Sequence, residues 1–128
     1  MTKPNNKKVL IAEDDESLLN VLADSFSLEG FTVLTAVNGA VALESALKEH
    51  PDMILLDIQM PVMDGLTMLD NLRHDKWGGS AEVILLTNFS EAEKVAKAAR
   101  HGAYDYLIKS DWKIEDIIKK VKEKLGLA

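Results

Sequence analysis

The sequence contains no cysteine. That excludes disulfide staples and thiolate metal sites. No apolar run approaches the ~20 residues needed to span a bilayer. The N-terminus, Met1 to Lys8, is polar and lysine-bearing, with no apolar segment behind it, which argues against a secretory signal. Basic residues are in the minority: 15 against 21 acidic ones give a net charge of −6. A phosphate backbone attracts basic surfaces, so this balance disfavours DNA or RNA as the main partner. The lysines that are present concentrate near the C-terminus, at positions 113, 119, 120, 122 and 124. Most stand in the final turns of a predicted helix, where they oppose the negative end of its dipole. These features suit a reducing, cytoplasmic setting away from membranes.

What the chain does have is length for one domain, 128 residues, and enough apolar side chains, 47%, to bury a sizeable core. Residues 1–6 read as a polar N-terminal tail and the rest as a single domain. Short apolar runs alternate with amphipathic stretches. Val9-Leu10-Ile11-Ala12, Met53-Ile54-Leu55-Leu56 and Val83-Ile84-Leu85-Leu86 are apolar at every position, as strands buried on both faces should be. Phe31 to Leu34 and Tyr104 to Ile108 complete a predicted set of five strands. Helical spacing is found from Leu18 to Gly30, Ala40 to Lys48, Leu66 to Arg73, Ala92 to Arg100 and Ile114 to Leu125. Pro51 ends the second of these, because proline disfavours helix in the residue before it. Such alternation implies an α/β fold with a parallel sheet between two helical layers. The expected architecture is a flavodoxin-like three-layer (βα)5 fold with a five-stranded parallel sheet in the order 2-1-3-4-5.

In open sheets of this kind, ligands sit beyond the carboxyl ends of the strands, where the strand order reverses. The residues that follow the runs are therefore informative. The first strand ends in Glu13-Asp14-Asp15, the third in Asp57, the fourth in Thr87 and the fifth in Lys109. Each alone is weak: an Asp after a strand often caps the next helix, and a lone Thr or Lys is usually structural. Their arrival at one edge of neighbouring strands is the stronger signal. Glu13, Asp14 and Asp57 packed together would repel and raise at least one pKa. A hard divalent cation removes that conflict. Mg²⁺ takes oxygen ligands, keeps several waters and prefers one or two carboxylates plus phosphate oxygens. A phosphoryl group on Asp57 would have the cation on one side, Lys109 as a point charge on another oxygen and the Thr87 hydroxyl on a third. Asp57 would be the nucleophile.

The segments VLIAEDD, MILLDIQMPVMDG, VILLT and GAYDYLIKS resemble the receiver domains of two-component response regulators, over roughly Lys7 to Leu125. The single-domain chemotaxis regulators are similar in layout. The resemblance implies that Asp57 is the phosphoacceptor. It implies that Glu13 and Asp14 hold Mg²⁺ (or Mn²⁺) with Asp57 and the backbone carbonyl of Gln59. It implies that Thr87 and Lys109 bind the phosphoryl group and that Tyr106 is the aromatic switch. The implied donor is a phosphohistidine on a histidine kinase or histidine phosphotransfer protein. The implied downstream target is a protein that meets the fourth helix, fifth strand and fifth helix. Gln59 and Phe89, two residues beyond the acceptor and two beyond the Thr, would flank the water that hydrolyses the acyl phosphate. The chain departs from the family pattern where Ser110 follows the Lys in place of Pro, and where Asn88 and Phe89 follow the Thr.

An aspartate-based phosphohydrolase of the haloacid dehalogenase type is the alternative. Such enzymes generally place an acid-base Asp two residues after the nucleophile, and here that position holds Gln59, which cannot transfer a proton. A nucleotide- or flavin-binding module would need a Gly-rich turn after the first strand, where Glu13-Asp14-Asp15 would repel phosphate. Other residues keep ordinary readings. His50 and His101 suit helix C-termini, Met60, Met63 and Met68 fill gaps, and Trp112 packs at the start of a last helix capped by Ser110 or Asp111. Trp77, in the loop Trp77-Gly78-Gly79-Ser80, is either a partner anchor or a loop plug.

Overall fold

A computed structural model describes residues 4–87, 96, 99–100, 105–109 and 113–127, with backbone alone for 105–108. Five strands form one parallel sheet: β1 (Lys8–Ala12), β2 (Thr32–Ala36), β3 (Met53–Asp57), β4 (Val83–Thr87) and β5 (Asp105–Ile108). Their order is β2-β1-β3-β4-β5. Each described helix follows its strand: α1 (Glu16–Leu28), α2 (Gly39–Glu49), α3 (Gly65–Arg73) and the C-terminal helix (Ile114–Lys124). The architecture is a flavodoxin-like α/β fold. The predicted helix over 92–100 lies almost wholly outside the described residues.

Strand alternation divides the core in two. Leu10, Ala12, Ile54, Leu56 and Leu85 face α2 and α3 and pack on Ala42, Ala46, Met68, Leu69 and Leu72. Val9, Ile11, Met53, Leu55 and Leu86 face the other way, onto Leu19, Leu22 and Phe26 of α1 and Ile117 and Val121 of the C-terminal helix. β3 is buried at every residue, which is why its sequence shows no alternation of polarity.

Short polar side chains start the helices by accepting from otherwise orphaned backbone N–H groups. Asp15 Oδ1 accepts from Ser17 N (3.0 Å) and Leu18 N (3.2 Å). Asn38 Oδ1 accepts from Val41 N (2.9 Å), and Asp64 Oδ1 from Thr67 N (2.8 Å). The expected cap at Ser110 or Asp111 is corrected. The C-terminal helix is capped at Lys113, whose N–H donates to Asp116 Oδ2 at 3.3 Å. The Asp116 carboxylate thus makes the reaching-back half of a capping box, tying down the N–H of the cap residue rather than those of the first turn. Gly78–Ser80 forms a 3-10 turn. Trp77, just before it, packs on the core and stacks on His50 with ring centroids 4.3 Å apart and planes 6° from parallel, so it is a loop plug. Asn5 in the N-terminal segment is tied down, its N–H donating to Gly30 O at 3.1 Å.

Candidate functional site

The sheet order brings the carboxyl ends of β1, β3, β4 and β5 side by side. Ala12 pairs with Leu56, so Glu13 and Asp57 stand next to each other one residue further on. Both continue the alternation of Val9-Ile11 and Met53-Leu55, so they share the face of α1 and the C-terminal helix. Asp57 pairs with Leu86, and Thr87 pairs with Ile108, the residue before Lys109. Glu13 is 0% exposed, Thr87 1% and Asp57 3%. Asp14 is exposed at the mouth.

One oxygen each from Glu13, Asp14 and Asp57 lies within 4.8 Å of the others. Lys109 reaches into this cluster from β5. Its Nζ is 3.2 Å from Asp57 Oδ2, 2.9 Å from Glu13 Oε2 and hydrogen-bonded to Glu13 Oε1 at 3.1 Å. Glu13 Oε1 also accepts from Asp15 N at 3.2 Å. Oε2, although close to the ammonium, accepts no aligned hydrogen bond and is fully buried. One cation among three carboxylates leaves the charge unbalanced.

The titration of Asp57 reflects this imbalance. Burial, and then the charge of Glu13, push its pKa up to about 7, against the opposing pull of Lys109. Burial disfavours the charge on Lys109, but the hydrogen bond to Glu13 and the charge of Asp57 outweigh it and hold its pKa above the ordinary lysine value. The residues fit a hard divalent cation. Their donor atoms are all oxygens, one buried carboxylate oxygen lacks a hydrogen bond, and a second positive charge would offset the repulsion.

Beside the cluster opens a cleft of about 430 Å³ lined by Asp14, Ile58, Gln59, Met60, Pro61 and Asp64. Gln59 lies on its wall with its side chain exposed. Tyr106 lies in β5, where the backbone alone is described. Asn88, Phe89 and Ser110 lie outside the described residues. Two contributors were missed by sequence reasoning. Gly65 N–H donates to Ile58 O at 2.8 Å, and a Cβ on Gly65 would lie 2.2 Å from the carbonyl oxygen of Asp57. Gly39 makes a similar approach to Met63. Gly65 closes the segment MILLDIQMPVMDG, which does not reveal its closeness to Asp57, and the sequence signal for Gly39 is a glycine at a helix start.

Residues 9–122 match the response regulator receiver domain family. The chain belongs to that family. The receiver is 32% identical over 122 residues to sporulation initiation phosphotransferase F of Bacillus subtilis, spanning 95% of this chain and 96% of the relative. It is 36% identical over 121 residues to the transcriptional regulatory protein PrrA of Mycobacterium bovis, spanning 94% of this chain and 51% of that regulator. The receiver spans 22% to 58% of the length of several curated regulatory proteins it matches. Among solved structures it superposes on a chain of the CheX–CheY–BeF3–Mg²⁺ complex of Borrelia burgdorferi with a TM-score of 0.82 and 27% identity, covering 93% of this chain and 89% of that one. The receiver is a phospho-accepting signalling switch of two-component systems.

Proposed function

We propose that Asp57 takes the phosphoryl group and that Glu13, Asp14, Asp57 and the backbone carbonyl of Gln59 hold Mg²⁺ beside it. The observation that carries this reading is the contact of Lys109 Nζ with both Glu13 and Asp57 inside a buried three-carboxylate cluster. In the transfer, a carboxylate oxygen of Asp57 forms the new P–O bond. The P–N bond of a phosphohistidine breaks, and its electron pair leaves with the imidazole. Lys109 neutralises charge on the incoming phosphoryl oxygens, and the Thr87 hydroxyl donates to one of them. When bound, Mg²⁺ would supply charge neutralisation for the carboxylates and the phosphoryl oxygens. A relative's complex that carries Mg²⁺ supports the choice of ion.

The donor in this reading is a histidine kinase or a histidine phosphotransfer protein. The output is a changed protein-binding face around the predicted helix 92–100, β5 and the C-terminal helix, with Tyr106 as the moving ring. The whole of 1–128 acts as one (βα)5 domain in the cytoplasm, without nucleic acid or membrane as partner. Among the described residues, no helix is long and apolar enough to cross a membrane. Gln59, a neutral amide, cannot serve as the acid-base group of a phosphohydrolase, so the domain's own chemistry is phosphotransfer to Asp57 and its dephosphorylation only. Phe89 offers no polar group to orient water, so the phosphoryl form is long-lived, and Phe89→Glu should shorten its life.

Intact mass after acetyl phosphate tests the central claim. One phosphoryl group should appear with Mg²⁺ and none without it, and Asp57→Ala should abolish the gain. Full labelling of the Ala variant would refute the assignment.

A further inference from the structure

The outer wall of the cleft beside Asp57 is the segment 58–64, and its backbone is held in an uncommon shape. Met63 N–H donates to Pro61 O at 2.7 Å, a hydrogen bond that spans a single residue and makes a γ-turn centred on Val62. Val62 has φ 68°, in the left-handed region that a β-branched side chain resists. Its side chain is 84% exposed, so packing there offsets none of the cost. Beyond its own short hydrogen bond, the turn has a contact from outside the segment.

That contact comes from a distant element. Gly39, the first residue of α2, donates its N–H to Met63 O at 2.8 Å. The approach is backbone to backbone. A Cβ on Gly39 would stand 2.3 Å from Met63 O and 2.9 Å from Met63 C, with Asp64 O at 3.0 Å. No residue but glycine fits there without displacing the turn. The other end of the segment is fixed by the hydrogen bond from Gly65 N to Ile58 O. Between these anchors lie Gln59 and Met60, which line the cleft with Asp14.

We infer that Gly39 is a positioning residue of the phosphoacceptor site: by gripping the Met63 carbonyl it holds the strained Val62 turn and so fixes the Gln59–Met60 backbone beside Asp57. This rests on the reading of the carboxylate cluster as a Mg²⁺ site. Gly39 belongs to α2, an element that contributes no side chain to the cluster. Through this contact, the placement of α2 sets the shape of the cation site.

The test compares Mg²⁺ affinity, by titration calorimetry on the unphosphorylated chain, in the parent, Gly39→Ala, Val62→Gly and the double variant. Alanine is the better helix former, so the change costs α2 no helix propensity and acts through the contact with Met63. Gly39→Ala should weaken Mg²⁺ binding about tenfold, as loss of outer-shell support does elsewhere. Val62→Gly alone should bind as the parent does. In the double variant, a glycine at 62 lets the turn re-form around the displaced carbonyl, so affinity should return most of the way. A variant that merely loosened the fold would gain nothing from a second flexible residue. Amide hydrogen exchange of the parent supplies an arm that needs no variant: Mg²⁺ should slow exchange at both the Gly39 and Met63 N–H. Parent-like affinity in a folded Gly39→Ala, no recovery in the double variant, or amides indifferent to Mg²⁺ would each overturn the inference. A parent that binds no Mg²⁺ would overturn the cation reading and this inference together.

Discussion

Asp57 must be ionised to attack phosphorus, yet its surroundings hold its pKa near 7. The sign of the consequence follows from linkage. An unfolded chain releases this proton near pH 3.8, while the folded chain keeps it until about 7. Between those values the folded state binds more protons, so the metal-free protein loses stability as pH rises through that window and levels off above it. Asp57→Asn removes the buried charge. Without added metal, this variant should be more stable than the parent at pH 8, by about 1–4 kcal/mol, and the gap should close below pH 4. Urea unfolding at the two pH values measures it, and a less stable variant at pH 8 would contradict the account. The carboxylates themselves were legible in the sequence, because each directly follows an apolar run. Their energetics were not. That Glu13 is fully buried and shares Lys109 with Asp57 depends on two strands being neighbours and on a lysine 96 residues away.

At the scale of elements, α3 is seated directly on the acceptor. Its first residue, Gly65, lies so close to the Asp57 carbonyl oxygen that a Cβ there would stand 2.2 Å from it. Gly65→Ala must push β3 and α3 apart at the residue that carries the chemistry. Overpacking of this kind costs about 1–3 kcal/mol. The variant should be destabilised by that amount in denaturant unfolding. It should also label more slowly with acetyl phosphate at a Mg²⁺ concentration that saturates the parent; normal labelling would show that the acceptor is indifferent to where α3 sits. The strands were legible because β1, β3 and β4 are buried on both faces and read as unbroken apolar runs. The α1 and α3 starts were legible to within a residue or two from the periodic spacing that begins at Leu18 and Leu66, while the caps themselves are Asp15 and Asp64. The start of the C-terminal helix was not. There the capping carboxylate, Asp116, sits inside the helix, and the polar residues ahead of it drew the cap too early. The Val62 turn was also invisible, because valine gives no hint of a left-handed backbone and its contact from outside the segment comes from α2.

Across the whole molecule, the site joins β1, β3, β4 and β5, so it exists only when the sheet is complete. An ion that needs Glu13, Asp14 and Asp57 together therefore binds the folded chain and not the unfolded one, and it stabilises the fold by mass action. At a hundred times its dissociation constant the gain is about 2.7 kcal/mol. In a domain of this size that should raise the melting temperature by roughly 10 °C. The same ion competes with the proton on Asp57, whose pKa lies near 7. Above that value the carboxylate is already free of its proton and binding costs nothing extra. Below it each ion must displace one proton, so apparent affinity should fall about tenfold for each pH unit. Melting curves taken at one fixed Mg²⁺ concentration should then show a large upward shift at pH 8 and a much smaller one at pH 5.5. Asp57→Asn removes both the proton and a ligand charge, so its shift should be small at both pH values. Equal Mg²⁺ shifts in the parent at pH 8 and pH 5.5 would mean that Asp57 does not hold the ion, and that the exposed Asp14 with buried Glu13 suffices.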